Sequence, residues 1–347
     1  QKSRNNHMYK APPRDISIDI LKCIAAIMIT NSHMDILYGD YSYLATGGAI
    51  GDALFFFCSG YTLFLGRDMD FFNWYKRRIN RIYPTVFTWA LIAAVFFDQR
   101  YDMPEILIKG GGWFVSCIMI YYVVLWFIRK FLKKHLKWVF FMAATITLLW
   151  YFVLGFGEKS GNNMYGWNYF KWCYYFLFML LGSMMGLKRN LNKKTYPFFE
   201  GLYDKHIHII PIFLKLLICI VLFFGLCWFK CQTGIGWELL QISSLIPLLG
   251  TTYYFWRLSN TKLLTQAYHH HLTGPIIRFI SGLCLEIYLV QYNLFTDKLN
   301  NIFPLNLLVI FSTILVTAYL LRCLSRIWSQ TFKDGDYDWR DVTKLYS

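Results

Sequence analysis

The 347 residues are 56% hydrophobic and 20% aromatic, only 16% are charged, and the mean hydropathy is +0.36. A soluble chain carries about a quarter charged residues, so an ordinary water-soluble domain is excluded. The net charge of +15 raises a nucleic-acid partner. The basic residues, however, fall in alternate segments between apolar runs, which is a membrane-protein distribution and argues for a lipid bilayer and no nucleic acid.

Apolar runs of bilayer-crossing length recur from end to end and predict an all-α polytopic membrane protein with ten transmembrane helices. The expected spans are 16–37, 45–65, 82–98, 113–128, 138–155, 169–187, 209–229, 236–256, 279–297 and 304–325. Residues 1–13 are polar and no small-residue cleavage site follows them, so no cleavable leader is expected. Segments 1–15, 66–81, 129–137, 188–208, 257–278 and the tail hold the large majority of the 35 Lys and Arg. The opposite loops hold Arg100, Lys109, Lys159, Lys230 and Lys298. This asymmetry predicts both termini in the cytoplasm. With no repeat and no long linker, residues 1–347 read as one integral-membrane domain with short cytoplasmic tails, 1–15 and 326–347. Trp113, Trp138, Trp167, Trp237 and Trp328 lie near span ends, as interfacial belts require.

The first span carries Asp19-Ile20-Leu21-Lys22, then ten residues, then His33. Eleven residues make three turns plus about 20°, so Lys22 and His33 share a face and lie roughly 16 Å apart along the axis. A cation and an imidazole on one stripe of an apolar helix are costly in lipid and point to a protein or water interior. A snorkelling Lys with a hydrogen-bonded interior His is the bland alternative.

The second span ends in Phe55-Phe56-Phe57-Cys58-Ser59-Gly60-Tyr61, where Gly60 permits close backbone approach and Ser59 a hydrogen bond across helices. The next loop reads Lys76-Arg77-Arg78-Ile79-Asn80-Arg81-Ile82-Tyr83-Pro84, with Pro84 suited to the first turn of the third span. Arg78 and Arg81 share a face if the segment is helical, and Arg offers bidentate donors for phosphate. Positive-inside anchoring and anionic-lipid contact are the competing explanations. Trp113-Phe114 behind Gly110-Gly111-Gly112 reads as an interfacial anchor, and Glu286 in the ninth span needs a cation or a proton, with Lys22 a candidate partner. The nine Cys are scattered without CxxC spacing and read as packing residues. His269-His270-His271 stands without an accompanying carboxylate or Cys, so no metal is expected. No GxSxG elbow occurs.

Asp19-x-x-Lys22-x10-His33, Phe56-x-x-Ser59-Gly60-Tyr61 and Arg78-x-x-Arg81-Ile82-x-Pro84, in that order, resemble the membrane acyltransferase type 3 family. These are ten-helix bacterial enzymes that move acyl groups, usually acetyl from acetyl-CoA, onto carbohydrates outside the cytoplasm. The motif-bearing match is the first 84 residues, with a weaker echo at Trp113-Phe114 and from Ser281 to Gln291, where Gln291 replaces a frequent family His. The resemblance implies Asp19, Lys22 and His33 as catalytic residues and Lys22, Ser59, Arg77, Arg78 and Arg81 as donor-binding ones. Lys22 would meet the pyrophosphate or pantetheine or polarise the thioester, and His33 would act as general base or carry the acyl group. It further implies an O-acetyltransferase of the bacterial inner membrane whose partners are acyl-CoA and a surface polysaccharide or lipid-linked sugar. Some members append an extracytoplasmic esterase-like domain, and this chain is expected to be of the stand-alone form. The rival is a transporter or flippase using Lys22, His33 and Glu286 as a relay, against which stands the absence of repeated halves.

Overall fold

The computed structural model describes residues 15–65, 69–154, 169–190, 208–233 and 242–345, and every regular element within them is helical. In chain order these are α1 (Ile16–Ser32), α2 (Asp35–Tyr38), α3 (Gly48–Leu65), α4 (Phe71–Phe96), α5 (Met103–Lys109), α6 (Gly112–Phe131) and α7 (Leu136–Leu154). There follow α8 (Tyr169–Asn190), α9 (Ile209–Thr233), α10 (Leu245–Ser259), α11 (Lys262–His269), α12 (Thr273–Gly282), α13 (Cys284–Leu294), α14 (Leu305–Thr331) and α15 (Trp339–Val342).

Seven helices among the described residues are long and apolar enough to cross a membrane, or nine if each of two bent pairs is one span. Both bends fall inside or beside expected spans, 16–37 and 279–297, and break each into two helices. α1 gives way to Asp35–Leu44 at 67°, and α12 meets α13 at 80°. The expected span 236–256 survives as the 15-residue α10, and residues 234–241 ahead of it lie outside the described residues.

Capping fixes where α1 starts. Asp15 accepts from the Ser17 N–H at 3.1 Å and the Ser17 hydroxyl at 2.7 Å, satisfying a first-turn donor. Its other oxygen accepts the Tyr61 hydroxyl at 2.6 Å and pairs with Arg189 Nε at 3.1 Å, so one carboxylate ties together α1, α3 and α8. α3 and α8 then pack backbone to backbone. A Cβ added at Gly60 would sit 1.9 Å from the Met179 carbonyl oxygen, and one at Gly182 2.0 Å from that of Phe57. Small residues permit this approach where no hydrophobic gain separates helix contact from lipid contact.

The bend after α1 is stapled by Asn31, whose amide donates to the Leu44 and Thr46 carbonyls, each at 2.9 Å, while its oxygen accepts Tyr38 OH at 2.6 Å. The Ile36 and Leu37 carbonyls of α2, which the short helix leaves without intrahelical partners, accept from Asn300 at 2.9 Å and Asn306 at 2.8 Å. The stretch from Lys76 to Arg81, expected as a loop, is continuous helix inside α4, and Pro84 falls within that helix rather than in its first turn. The expected tail from 326 also begins within a helix, since α14 runs on to Thr331. Arg326 Nη1 then grips the carbonyls of Asp341 (2.8 Å), Val342 (3.2 Å) and Lys344 (2.8 Å), folding the tail back on α14.

Candidate active site

Two cavities lie along the α1 stripe. The first, about 360 Å³, is lined by Lys22 and Ile29 of α1, Asp52 and Ser59 of α3, Arg78 and Arg81 of α4, Cys284, Glu286 and Tyr288 of α13, and Arg322 and Arg326 of α14, among others. The second, about 260 Å³, is lined by Ile29, Ser32, His33, Thr46, Asp52, Trp113, Lys171, Phe223, Phe224 and Tyr288, with small residues between. Ile29, Asp52 and Tyr288 belong to both linings and form a common wall. The stripe therefore runs Lys22, Ile29, His33 along two adjoining cavities, and the seven-residue and four-residue steps keep all three on one helix face.

The first cavity concentrates cations because two helices contribute them at helical spacing. Arg78 and Arg81 are i, i+3 on α4, and Arg322 and Arg326 are i, i+4 on α14. α4 and α14 are joined where Thr85 donates to Ser325 at 3.3 Å. Arg78 is aimed by two aromatic faces, with its guanidinium 5.3 Å from the Trp74 centroid and 5.6 Å from that of Tyr122. Arg322 is 5% exposed and pairs through Nε with Glu286 Oε1 at 3.4 Å, while its Nη1 is buried without a hydrogen bond. Glu286 thus takes Arg322 as its partner rather than Lys22. The break at Leu283 starts a new helix there, puts Glu286 in the first turn of α13 and packs that helix on α14.

In the second cavity His33 is the C-cap of α1, half-buried where the chain turns away. Its Nε2 is 2.8 Å from the Tyr292 hydroxyl of α13. Lys171 Nζ sits 3.6 Å from the Trp113 ring centroid, so Trp113 faces a cation inside the protein instead of serving as an interfacial anchor. The turn ahead of it is tight. Gly112 has φ +63°, and a Cβ there would meet the Tyr288 hydroxyl at 2.7 Å.

Of the residues singled out in the sequence, Lys22, Ser59, Arg78 and Arg81 meet in the first cavity and His33 stands in the second. Arg77 is exposed and outside both linings. Asp19 is 3% exposed, accepts the Tyr268 hydroxyl at 2.9 Å and also lies outside both, so its contact ties α1 to α11. Sequence reasoning missed Asp52, Lys171, Tyr292 and the pair Arg322/Arg326. Asp52 is an acid within an apolar run, the same signal that marked Lys22, whereas two arginines at the cytoplasmic end of the last expected span fit positive-inside topology and carry no further signal in the sequence. Among the described residues no group of three or more His, Cys, Asp or Glu could hold a metal ion, and His270 and His271 are exposed.

Comparison with curated proteins and with solved structures gives no match for this chain. Comparison with protein families does: the family described as an acyltransferase domain, acyltransferase 3, matches residues 15–323. That interval contains the whole stripe, both cavities' acidic and aromatic linings, and Arg322 of α14. With seven to nine membrane-length helices among its described residues, the chain is a multi-pass membrane acyltransferase and belongs to the acyltransferase 3 family.

Proposed function

We propose that this acyltransferase moves an acyl group, acetyl in the first instance, from cytoplasmic acyl-CoA to a hydroxyl of an extracytoplasmic carbohydrate or glycoconjugate. The observation that carries the reading is the common wall. A cavity rich in Arg and Lys abuts a cavity containing an imidazole, and only Ile29, Asp52 and Tyr288 line both among the described residues. CoA is a polyanion, and guanidinium forks at Arg78 and Arg81 suit its phosphates. The pantetheine arm then runs past Lys22 to bring the thioester to the wall. The acceptor enters the second cavity, where an aromatic and polar lining suits a sugar. Its hydroxyl oxygen attacks the thioester carbonyl carbon while His33 takes the hydroxyl proton. The C–O bond forms, the C–S bond breaks, and CoA leaves with the electron pair and is protonated to the thiol.

In this reading the chain makes ten spans with both termini in the cytoplasm of a bacterial inner membrane, so that the first cavity opens to the donor and the second to the acceptor. α1 runs 17 residues from Ile16 to Ser32, roughly 25 Å, with His33 as its C-cap, and the stripe from Lys22 to His33 takes roughly 16 Å of that length.

The test uses the purified protein in nanodiscs with acetyl-CoA and a panel of oligosaccharides, following release of the CoA thiol and acetyl transfer. Wild type should turn over, and His33→Ala should keep CoA binding but form no product. Wild-type turnover by His33→Ala would overturn the assignment of the base. Absence of acetyl transfer and thiol release from wild type across the panel would overturn the donor reading.

A further inference from the structure

The side chain of His33 has one protein hydrogen bond among the described residues, and it determines which ring nitrogen is left for chemistry. Tyr292 OH lies 2.8 Å from Nε2, and the two rings stand 4.8 Å apart at 54°. Tyr292 is on α13 and is about half exposed, but it does not line the second cavity, whereas His33 does. Nε2 is therefore taken by a residue outside the cavity. No described protein group is hydrogen-bonded to Nδ1.

A neutral imidazole has one N–H and one lone pair, and the bond made by one nitrogen fixes the role of the other. If Tyr292 donated to Nε2, the proton would sit on Nδ1 and the cavity would face a donor with no basic lone pair. If Tyr292 accepts from Nε2–H, the lone pair is held on Nδ1. Only the second arrangement gives the cavity a base.

We propose that Tyr292 is the positioning residue of His33, its phenol oxygen accepting from Nε2–H so that Nδ1 is the atom that takes the acceptor's proton. This rests on the acyl-transfer reading above. As the acceptor oxygen bonds to the thioester carbonyl carbon, its proton passes to Nδ1, and the C–S electron pair leaves on sulfur. The imidazolium so formed has N–H on both nitrogens, so Nε2 donates to Tyr292 before, during and after the step. The Nδ1 proton is then given up to the thiolate through water, leaving acylated acceptor, CoA thiol and neutral His33. The phenol has no charge, and it orients the ring without adding a second ion beside an apolar bundle.

Three measurements on the full chain in nanodiscs test this. In 15N-histidine NMR, the His33 signal, identified by its loss in His33→Ala, should be that of the Nε2–H tautomer. Replacing His33 with Nδ1-methylhistidine should abolish release of CoA thiol from acetyl-CoA while CoA binding persists. Tyr292→Phe, which keeps the ring, should lower kcat about tenfold, the worth of one hydrogen bond, and shift His33 to mixed tautomers. KM for acetyl-CoA should stay within about twofold, since the donor is held in the other cavity. An Nδ1–H tautomer in wild type, full turnover of the methylated variant, or wild-type kcat in Tyr292→Phe would each overturn the proposal. The tautomer is read without turnover, so a wild type that transfers nothing sinks the acyl-transfer reading while the NMR still decides the His33–Tyr292 arrangement.

Discussion

Arg322 Nε lies 3.4 Å from Glu286 Oε1, and both side chains are nearly buried, at 6% and 11% exposure. The pair joins α13 to α14 just beyond the break that separates α12 from α13, and both residues line the first cavity. Removing one member leaves the other as a buried ion without its countercharge. Glu286→Ala should therefore lower stability by about 3–5 kcal/mol. The double variant Glu286→Ala with Arg322→Met should recover much of that loss, because the lone cation is gone. Apparent Tm of the purified protein checks both. A Glu286→Ala protein as stable as wild type would mean the pair is solvated.

Arg77, Arg78 and Arg81 are neighbours in sequence, but only Arg78 and Arg81 line the first cavity. Arg78→Ala and Arg81→Ala should each weaken CoA binding by about 1.5–3 kcal/mol, the range for a charged hydrogen bond. Lys at either site should restore only part, because an ammonium lacks the bidentate fork. Arg77→Ala, exposed and outside the linings, should bind CoA as wild type does. Titration calorimetry with CoA distinguishes these outcomes, and equal losses at all three positions would reduce the cluster to nonspecific charge.

The stripe can be mapped with introduced cysteines in a background freed of the native ones. Ile29→Cys, on the common wall, should react with a small membrane-impermeant thiol reagent and be protected by acetyl-CoA. Ala25→Cys should be inert, since Ala25 is 0% exposed. Ala26 shares the general direction of the stripe, yet it is 3% exposed and outside both linings, so Ala26→Cys should be inert as well. Reaction at Ala25 or Ala26, with none at Ile29, would put the channel elsewhere.

Gly182→Ala should push α3 and α8 apart, because the new methyl would meet the Phe57 carbonyl oxygen at 2.0 Å and backbone cannot rotate away as a side chain can. Overpacking of this kind costs about 1–3 kcal/mol. Gly225→Ala, with nothing within 4 Å of the added atom, is the matched control and should leave the apparent Tm unchanged. Equal effects at the two sites would mean that helix packing is not what Gly182 provides.

Much of this arrangement is local and therefore legible in the chain. Apolar runs determined that the protein is helical and membrane-spanning, and the eleven-residue step determined that Lys22 and His33 share a face, since helical period relates residues of one helix without reference to any other. The paired spacing of Arg78 and Arg81 was readable for the same reason. The tertiary structure alone decided the rest. Where α1 stops and turns depends on Asn31 holding the Leu44 and Thr46 carbonyls, and the second bend falls at Leu283, neither at a proline. Glu286 found Arg322 rather than Lys22, and His33 found Tyr292 across 259 residues of sequence. Period states which side chains of a helix face the same way; it does not state which helix lies opposite. In a bilayer the lipid tails are as apolar as a neighbouring helix, so hydrophobicity carries no record of which faces pack together, and the partners of Lys171, Tyr292 and Arg322 are decided by the fit of the assembled bundle.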